Sequence, residues 1–292
     1  MKMTFRSLLS WAEAELERLQ AKSPVVESQI LLMEILNVSR QSELLLGLDE
    51  EASESVFSTL QTWVERRGEG EPIQYIFGKA PFYGRDFFVG SGVLIPRPET
   101  EILVEEVLKH IPFDRKLSGL EIGLGSGAIA LTLLLERADL HMRAFEVSEE
   151  ALKWGFKNRA HFALDTRCEF QLVEGLEWPS LEGKVDFIVS NPPYIPEEEY
   201  SVLPREVRDH EPRVALVPPS QNPLVFYEQI ADYAKTHLNP KTGLIALEVH
   251  APLADQVVRV LKETLEPAFQ GSQVGLVLDL SGQKRVVYFQ TK

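Results

Sequence analysis

Leu120-Glu-Ile-Gly-Leu-Gly-Ser-Gly-Ala-Ile-Ala130 decides the fold: a short apolar strand enters a loop with glycine at every second position, and an apolar helix follows to about residue 136. Glycine recurs at 123, 125 and 127, as expected where a chain must turn tightly and let a ligand approach its backbone. Two common phosphate loops are excluded, because neither Gly-Lys-Ser/Thr nor Gly-x-Gly-x-x-Gly is present. Glu121 precedes the loop, and its carboxylate would repel a pyrophosphate. Glycines that serve only to pack a helix on a strand are the other reading of this stretch.

A carboxylate at that place suits a cationic amino-acid end, as in S-adenosylmethionine. The next strand, Met142-Arg-Ala-Phe-Glu-Val147, carries Glu146 at its carboxyl end, close to the spacing of about 20 positions at which α/β nucleotide folds place the acid that takes ribose hydroxyls. A solvated acid opening the next helix is the alternative, since Glu149 and Glu150 follow.

Further along, the apolar strand Lys184-Val-Asp-Phe-Ile-Val-Ser190 ends in Asn191-Pro-Pro-Tyr194, at the sheet edge where open α/β folds keep their ligands. A carboxamide, two rings of fixed φ and an aromatic face make a rigid slot for a flat polar group. Such a slot suits methylation of a planar nitrogen. The nitrogen lone pair is delocalised until acceptors on both N–H bonds draw it toward a tetrahedral shape, and Asn191 Oδ1 and the Pro192 carbonyl are the candidate acceptors. Plain loop punctuation is the competing reading of Asn-Pro-Pro.

Glu-x-Gly-x-Gly-x-Gly, Glu146 and Asn-Pro-Pro-Tyr in this order resemble the class I S-adenosylmethionine-dependent methyltransferases. Pro72-Ile-Gln-Tyr-Ile-Phe-Gly78, Leu94-Ile-Pro-Arg-Pro-Glu-Thr-Glu101 and Glu211-Pro-Arg-Val-Ala-Leu216 narrow the resemblance to the bacterial release factor glutamine N5-methyltransferases, the HemK/PrmC family, over nearly the whole chain. The resemblance implies methyl transfer from S-adenosylmethionine, with S-adenosylhomocysteine as product, to the glutamine amide of the Gly-Gly-Gln loop in class 1 peptide chain release factors. It further implies that Asn191, Pro192, Pro193 and Tyr194 hold the substrate amide, with Leu94 and Arg97 bordering the pocket. The cofactor would lie against Glu121, Gly123, Leu124, Gly125, Ser126, Gly127, Glu146 and Asn191. An exposed Arg97 held by a nearby Glu is an equal alternative.

The chain departs from the family pattern twice. Leu124 stands where a Thr is usual between the first two glycines, and Gly175 stands where an Asp usually meets the adenine amine. Glu174 or Glu177 could take over that contact, with Leu176 or Trp178 covering the ring. Four other functions remain in view: a ribosomal-protein glutamine methyltransferase, DNA adenine or rRNA guanine methylation, and a non-catalytic binding protein that kept the fold.

Composition limits the partners. The 292 residues are 44% hydrophobic and 25% charged, enough for a substantial core and two domains. A net charge of −14, with no basic cluster beyond Arg66-Arg67 or Lys284-Arg285, argues against direct nucleic-acid binding. No apolar run is long enough to span a bilayer, the start lacks a signal-peptide core, and the lone Cys168 reads as packing in a reducing cytoplasm. The six histidines show no metal-ligand spacing, so no metal is expected, and a monomer is.

Periodicity divides the chain into a helical bundle over residues 1–78, a linking β-hairpin over 79–95 and a catalytic domain over 96–292. The bundle is read equally as a stabilising cap and as the recogniser of the protein substrate. Ser23-Pro24 reads as an N-cap followed by proline at N1. Strands are expected near 118–122, 142–147, 169–173, 184–190 and 243–249, separated by helices, which implies a mostly parallel sheet. Residues 275–280 and 285–289 are too close for a helical crossover and must close the seven strands as an antiparallel pair. The loop over 195–217 is long enough to be a lid.

Overall fold

The structure, a computed structural model, describes residues 3–113 and 115–292, which form two compact units. One comprises the chain up to Gly78 together with Pro204–His210; the other comprises Lys79–Leu203 and Glu211–Lys292.

The helical unit contains α1 (Phe5–Arg18), α2 (Pro24–Leu36), α3 (Gln41–Leu46), α4 (Glu54–Gly68) and α5 (Ile73–Phe77). Leu8, Ala12 and Leu16 of α1 recur at helical spacing and are buried against Leu31 and Leu32 of α2 and Leu60 and Val64 of α4. Thr4 caps α1 in a reciprocal box with Ser7, and Ser53 caps α4 through the Val56 amide. Ser23 differs from expectation: Pro24 does occupy the first turn of α2, but the Ser23 backbone (φ −139°, ψ 66°) leaves its hydroxyl without a capping bond.

In the larger unit, β1 (Lys79–Phe82) and β2 (Arg85–Phe88) form the hairpin, joined by Tyr83-Gly84. Both turn residues have positive φ (50° and 72°), the conformation that matches the twist of paired strands. The paired strands end at Phe88, short of the expected 95. Gly90 then runs so close to the Trp154 ring that a Cβ there would sit 2.5 Å from it.

Next come α6 (Glu101–His110), β3 (Leu117–Ile122), α7 (Ala128–Glu136), β4 (Leu140–Glu146), α8 (Glu149–His161), β5 (Cys168–Leu172) and β6 (Phe187–Ser190). The rest is α9 (Glu197–Tyr200), α10 (Arg205–Arg208), α11 (Val225–His237), β7 (Leu244–Glu248), α12 (Ala254–Leu265), β8 (Gln273–Leu278) and β9 (Lys284–Gln290). The sheet order is β5-β4-β3-β6-β7-β9-β8, parallel from β5 to β7 and antiparallel at β9 and β8. This is the class I methyltransferase arrangement. Separate apolar clusters cover the two faces of the sheet, one including Leu131 and Leu134 of α7 and the other Ile230 and Ala234 of α11. Strand order reverses between β3 and β6, and the crevice at the carboxyl ends of such strands is where open α/β sheets bind ligands.

Candidate active site

The Gly123, Gly125 and Gly127 backbones all have positive φ (80°, 56° and 82°), so the sequence folds here as a turn that side chains with Cβ resist. At Gly127 a Cβ would in addition lie 2.9 Å from Leu131. The Gly123 amide donates to Phe145 O at 2.9 Å, which carries the end of β3 onto β4.

Glu146 staples that loop from the next strand. One carboxylate oxygen accepts from the Gly125 amide at 2.8 Å, and the other from Val147 and Ser148, each at 2.9 Å. Burial raises its pKa, and those three amides partly offset the shift by favouring the anion. Glu121 is more deeply buried: Oε2 accepts from the Ala130 amide at 3.0 Å, whereas Oε1 has no partner. Burial pushes its pKa well above the ordinary value, and nearby Glu146 adds to the rise.

Beside this loop lies a cavity of about 490 Å³. Gly123, Gly125 and Glu146 form one wall, and Val173, Gly175, Leu176 and Trp178 an apolar one. Asn191 and Pro193 reach it from the end of β6, and Leu94 from the chain after the hairpin. Pro212, Arg213 and Val217 close it from the end of the expected lid, whose Arg213 pairs with Glu197. Ser190 Oγ donates to Ile122 O at 2.6 Å and so holds the strand bearing Asn191 beside the one bearing the glycines.

Not every expected residue faces this space. Leu124 is buried, with its side chain packed where a Cβ on Gly155 would be. That packing accounts for a leucine at this place. Glu121, Ser126 and Gly127 lie behind the wall, and Glu174 is outside it while Gly175 and Leu176 line it. Arg97 is also absent from the wall, because Glu211 pins its guanidinium and also accepts from the Ile95 amide at 3.0 Å. Pro192 is buried. Tyr194 turns inward, its ring stacked on His250 (6.0 Å between centroids, 11° between planes) and its hydroxyl donating to Glu248 Oε1 at 3.1 Å.

Several residues beside the site carried no signal of their own. Thr100 accepts from Asn191 Nδ2 at 3.2 Å, and Asn158 reaches Ser126 O, yet both are distant in sequence from what they hold. Thr100 and Glu211 sit inside stretches already noticed as motifs, so the motifs gave the place but not the pairing. Cys168 is buried and its thiol pKa is raised by burial, in keeping with packing. Among the described residues no group of three or more acids, histidines or cysteines could hold a metal ion, and no helix is long and apolar enough to cross a membrane.

A family model described as the PrmC N-terminal domain matches residues 7–78, and one described as the methyltransferase small domain matches residues 98–208. The chain is 37% identical over 264 residues to the release factor glutamine methyltransferase of Bacillus cereus, covering 89% of this chain and 90% of that protein. It is 36% identical over 289 residues to the protein of the same name from Aquifex aeolicus, covering 99% and 96%. A solved structure of a release-factor-specific protein-(glutamine-N5) methyltransferase from Alicyclobacillus acidocaldarius aligns with 70% of this chain and 99% of its own, at 27% identity and a TM-score of 0.43.

Proposed function

The chain belongs to the release factor glutamine methyltransferase family, and we propose that it methylates the side-chain amide nitrogen of the glutamine in the Gly-Gly-Gln loop of a class 1 peptide chain release factor. The methyl donor in this reading is S-adenosylmethionine, which supplies a methyl group on a positively charged sulfur that leaves as a neutral thioether.

The residues fit such a donor. A buried carboxylate oxygen on Glu121 lacks a partner, which suits a cationic amino group nearby. Glu146 lines the cavity with acceptor capacity left after three amides, which suits ribose hydroxyls. Leu176 and Trp178 supply apolar surface for a flat base.

One observation carries the reading of the chemistry: Asn191 Nδ2 donates to Thr100, so Oδ1 is the end left to accept from a target amide in the cavity. With the Pro192 carbonyl as second acceptor and Pro193 as the flat wall, both N–H bonds of a glutamine amide are engaged. Such contacts draw the lone pair out of conjugation as the N–C bond forms and the C–S bond breaks. The nitrogen becomes a strong acid as it gains the methyl group, so its proton passes to water without a strong base. Tyr194 supports the slot from behind, since its ring is not part of the cavity wall. Alignment and desolvation supply the remaining rate.

The test is incubation with labelled S-adenosylmethionine and purified release factors and ribosomal proteins, followed by mass mapping. Label on the Gly-Gly-Gln glutamine of a folded release factor is expected, with a short peptide of that sequence a much poorer substrate. Label on a ribosomal protein, rRNA or DNA instead would overturn the assignment.

A further inference from the structure

We propose that the cavity admits methyl donors substituted on the amino group of adenine, because Gly175 leaves the edge where that group lies without a side chain to read it. The inference rests on the assignment of S-adenosylmethionine as donor and names the feature of its base that goes unrecognised.

The direction of the donor follows from the sheet. Four stretches line the cavity at the carboxyl ends of neighbouring strands, which stand in the order β5, β4, β3, β6. They are residues 173–178 after β5, Glu146 at the end of β4, Gly123 and Gly125 after β3, and Asn191 after β6. The methyl group has to reach Asn191 and the ribose Glu146, so the base, on the far side of the ribose, runs on to residues 173–178. Val173, Leu176 and Trp178 offer apolar surface there. The Trp178 ring is set edge-on to Tyr233 (5.5 Å between centroids, 85° between planes), and the Tyr233 hydroxyl donates to Pro179 O at 2.6 Å. Such surface grips the faces of a flat base and is indifferent to what its amino group carries.

Only a polar side chain at the edge could read that group, and the backbone leaves no place for one. Residues 174–177 form a turn closed by the Glu177 amide donating to Glu174 O at 3.0 Å, with Gly175 second in the turn at φ 53°. Positive φ at that position favours glycine. Gly175 is exposed on the cavity rim, and a Cβ added to it would meet no atom of the described residues within 4 Å. Glu174 and Glu177 are exposed and stand outside the wall. Among the described residues Glu146 is the one carboxylate on the wall, and three amides hold it at the ribose end. A substituent on the amino group therefore passes Gly175 toward solvent.

The test is titration calorimetry of the full chain with S-adenosylhomocysteine and with its N6,N6-dimethyl derivative, which has no N–H left to donate from the base. The wild type should bind the two within about fivefold of each other, since no charge-assisted hydrogen bond is lost. Gly175→Asp brings an acceptor to the edge and should favour S-adenosylhomocysteine over the dimethyl compound by about tenfold or more. Gly175→Ala carries the same backbone strain without the carboxylate and should discriminate no better than the wild type, which separates recognition from strain. A larger wild-type preference for S-adenosylhomocysteine would overturn the inference while leaving the donor assignment standing. Gly175→Asp discriminating no better than Gly175→Ala would overturn the placement of the amino group beside Gly175. Failure of the wild type to bind either compound would overturn the donor assignment, and the inference with it.

Discussion

Asn158, fully buried on α8, pairs with the Phe88 backbone at the end of the hairpin as a second strand would: its Oδ1 accepts from the Phe88 amide at 2.7 Å and its Nδ2 donates to the Phe88 carbonyl at 2.9 Å. The other Nδ2 proton goes to Ser126 O at 2.9 Å, inside the glycine loop. One side chain thus ties the hairpin to the cofactor loop. Asn158→Ala strands three backbone groups, and a cost of about 2–4 kcal/mol is expected in urea unfolding. Cofactor affinity should fall with it, because Ser126 loses its anchor. Asn158→Asp, which accepts but cannot donate, should fall between. A wild-type unfolding midpoint in Asn158→Ala would show that water replaces all three bonds.

How much of this was legible in the sequence depended on the range of the interaction. Strands whose neighbours lie nearby in the chain announced themselves by apolar runs, and β3, β4, β6 and β7 fall within a few residues of expectation. The antiparallel close by β8 and β9 followed from the short connection alone. The glycine loop and Asn191 were visible because their backbone and chemistry demand particular residue types. For Arg97 the alternatives of lining the pocket and being held by a Glu stood level, because only the fold brings Glu211 to it across the chain. The inward packing of the Leu124 side chain was hidden for a related reason, since Gly155, against which it lies, is on α8, beyond the next strand. Pro204–His210 clusters with the helical unit although the sequence around it reads as one loop.

Asn191→Ala should leave cofactor affinity nearly intact and lower turnover by roughly two to four powers of ten, as for loss of a preorganised transition-state contact. Asn191→Asp is the sharper probe. It keeps an acceptor but cannot donate to Thr100, so its orientation is lost as well as its neutrality. Activity within a few-fold of wild type in both variants would remove Asn191 from this role.

Glu146 and Glu121 separate by what their loss does. Glu146→Ala removes the acceptor for three amides, so the melting temperature should drop and cofactor binding should weaken by about 1.5–3 kcal/mol or more. Turnover at saturating cofactor should fall far less. Glu121→Gln is expected to raise the melting temperature at neutral pH. A carboxyl whose folded pKa is raised favours folding below its unfolded pKa, and that contribution is lost as pH rises through the folded pKa. The advantage of the glutamine should therefore shrink as the pH is lowered toward the ordinary carboxyl range. Cofactor affinity should fall as well, because the unpartnered Oε1 is the oxygen assigned to the cationic amino group; thermal melts at two pH values read the first effect and calorimetric titration the second.

Arg67 of α4 tests the segment Pro204–His210 from inside the helical unit. Its Nε donates to Glu27 at 2.7 Å, Nη1 to Glu71 O at 3.0 Å, and Nη2 pairs with Glu206 at 2.9 Å. Arg67 and Glu27 are both nearly buried, so Arg67→Ala leaves an uncompensated charge and should cost about 3–5 kcal/mol. Glu206 is different, with its side chain 31% exposed and a second, longer contact of 3.4 Å to Lys22. Burial acts to raise the Glu206 pKa, but Arg67 and Lys22 outweigh it and hold the group low, so its stabilising share is lost as pH falls through that lowered value. Glu206→Ala should cost no more than about 1 kcal/mol, as for other partly exposed pairs. Its larger effect should be on the substrate. The segment lies between Asn191-Pro-Pro-Tyr194 and the cavity residues from Pro212 onward, so freeing it should raise KM for a folded release factor while leaving cofactor affinity unchanged. Equal KM values for wild type and Glu206→Ala would show that the segment takes no part in docking the protein substrate.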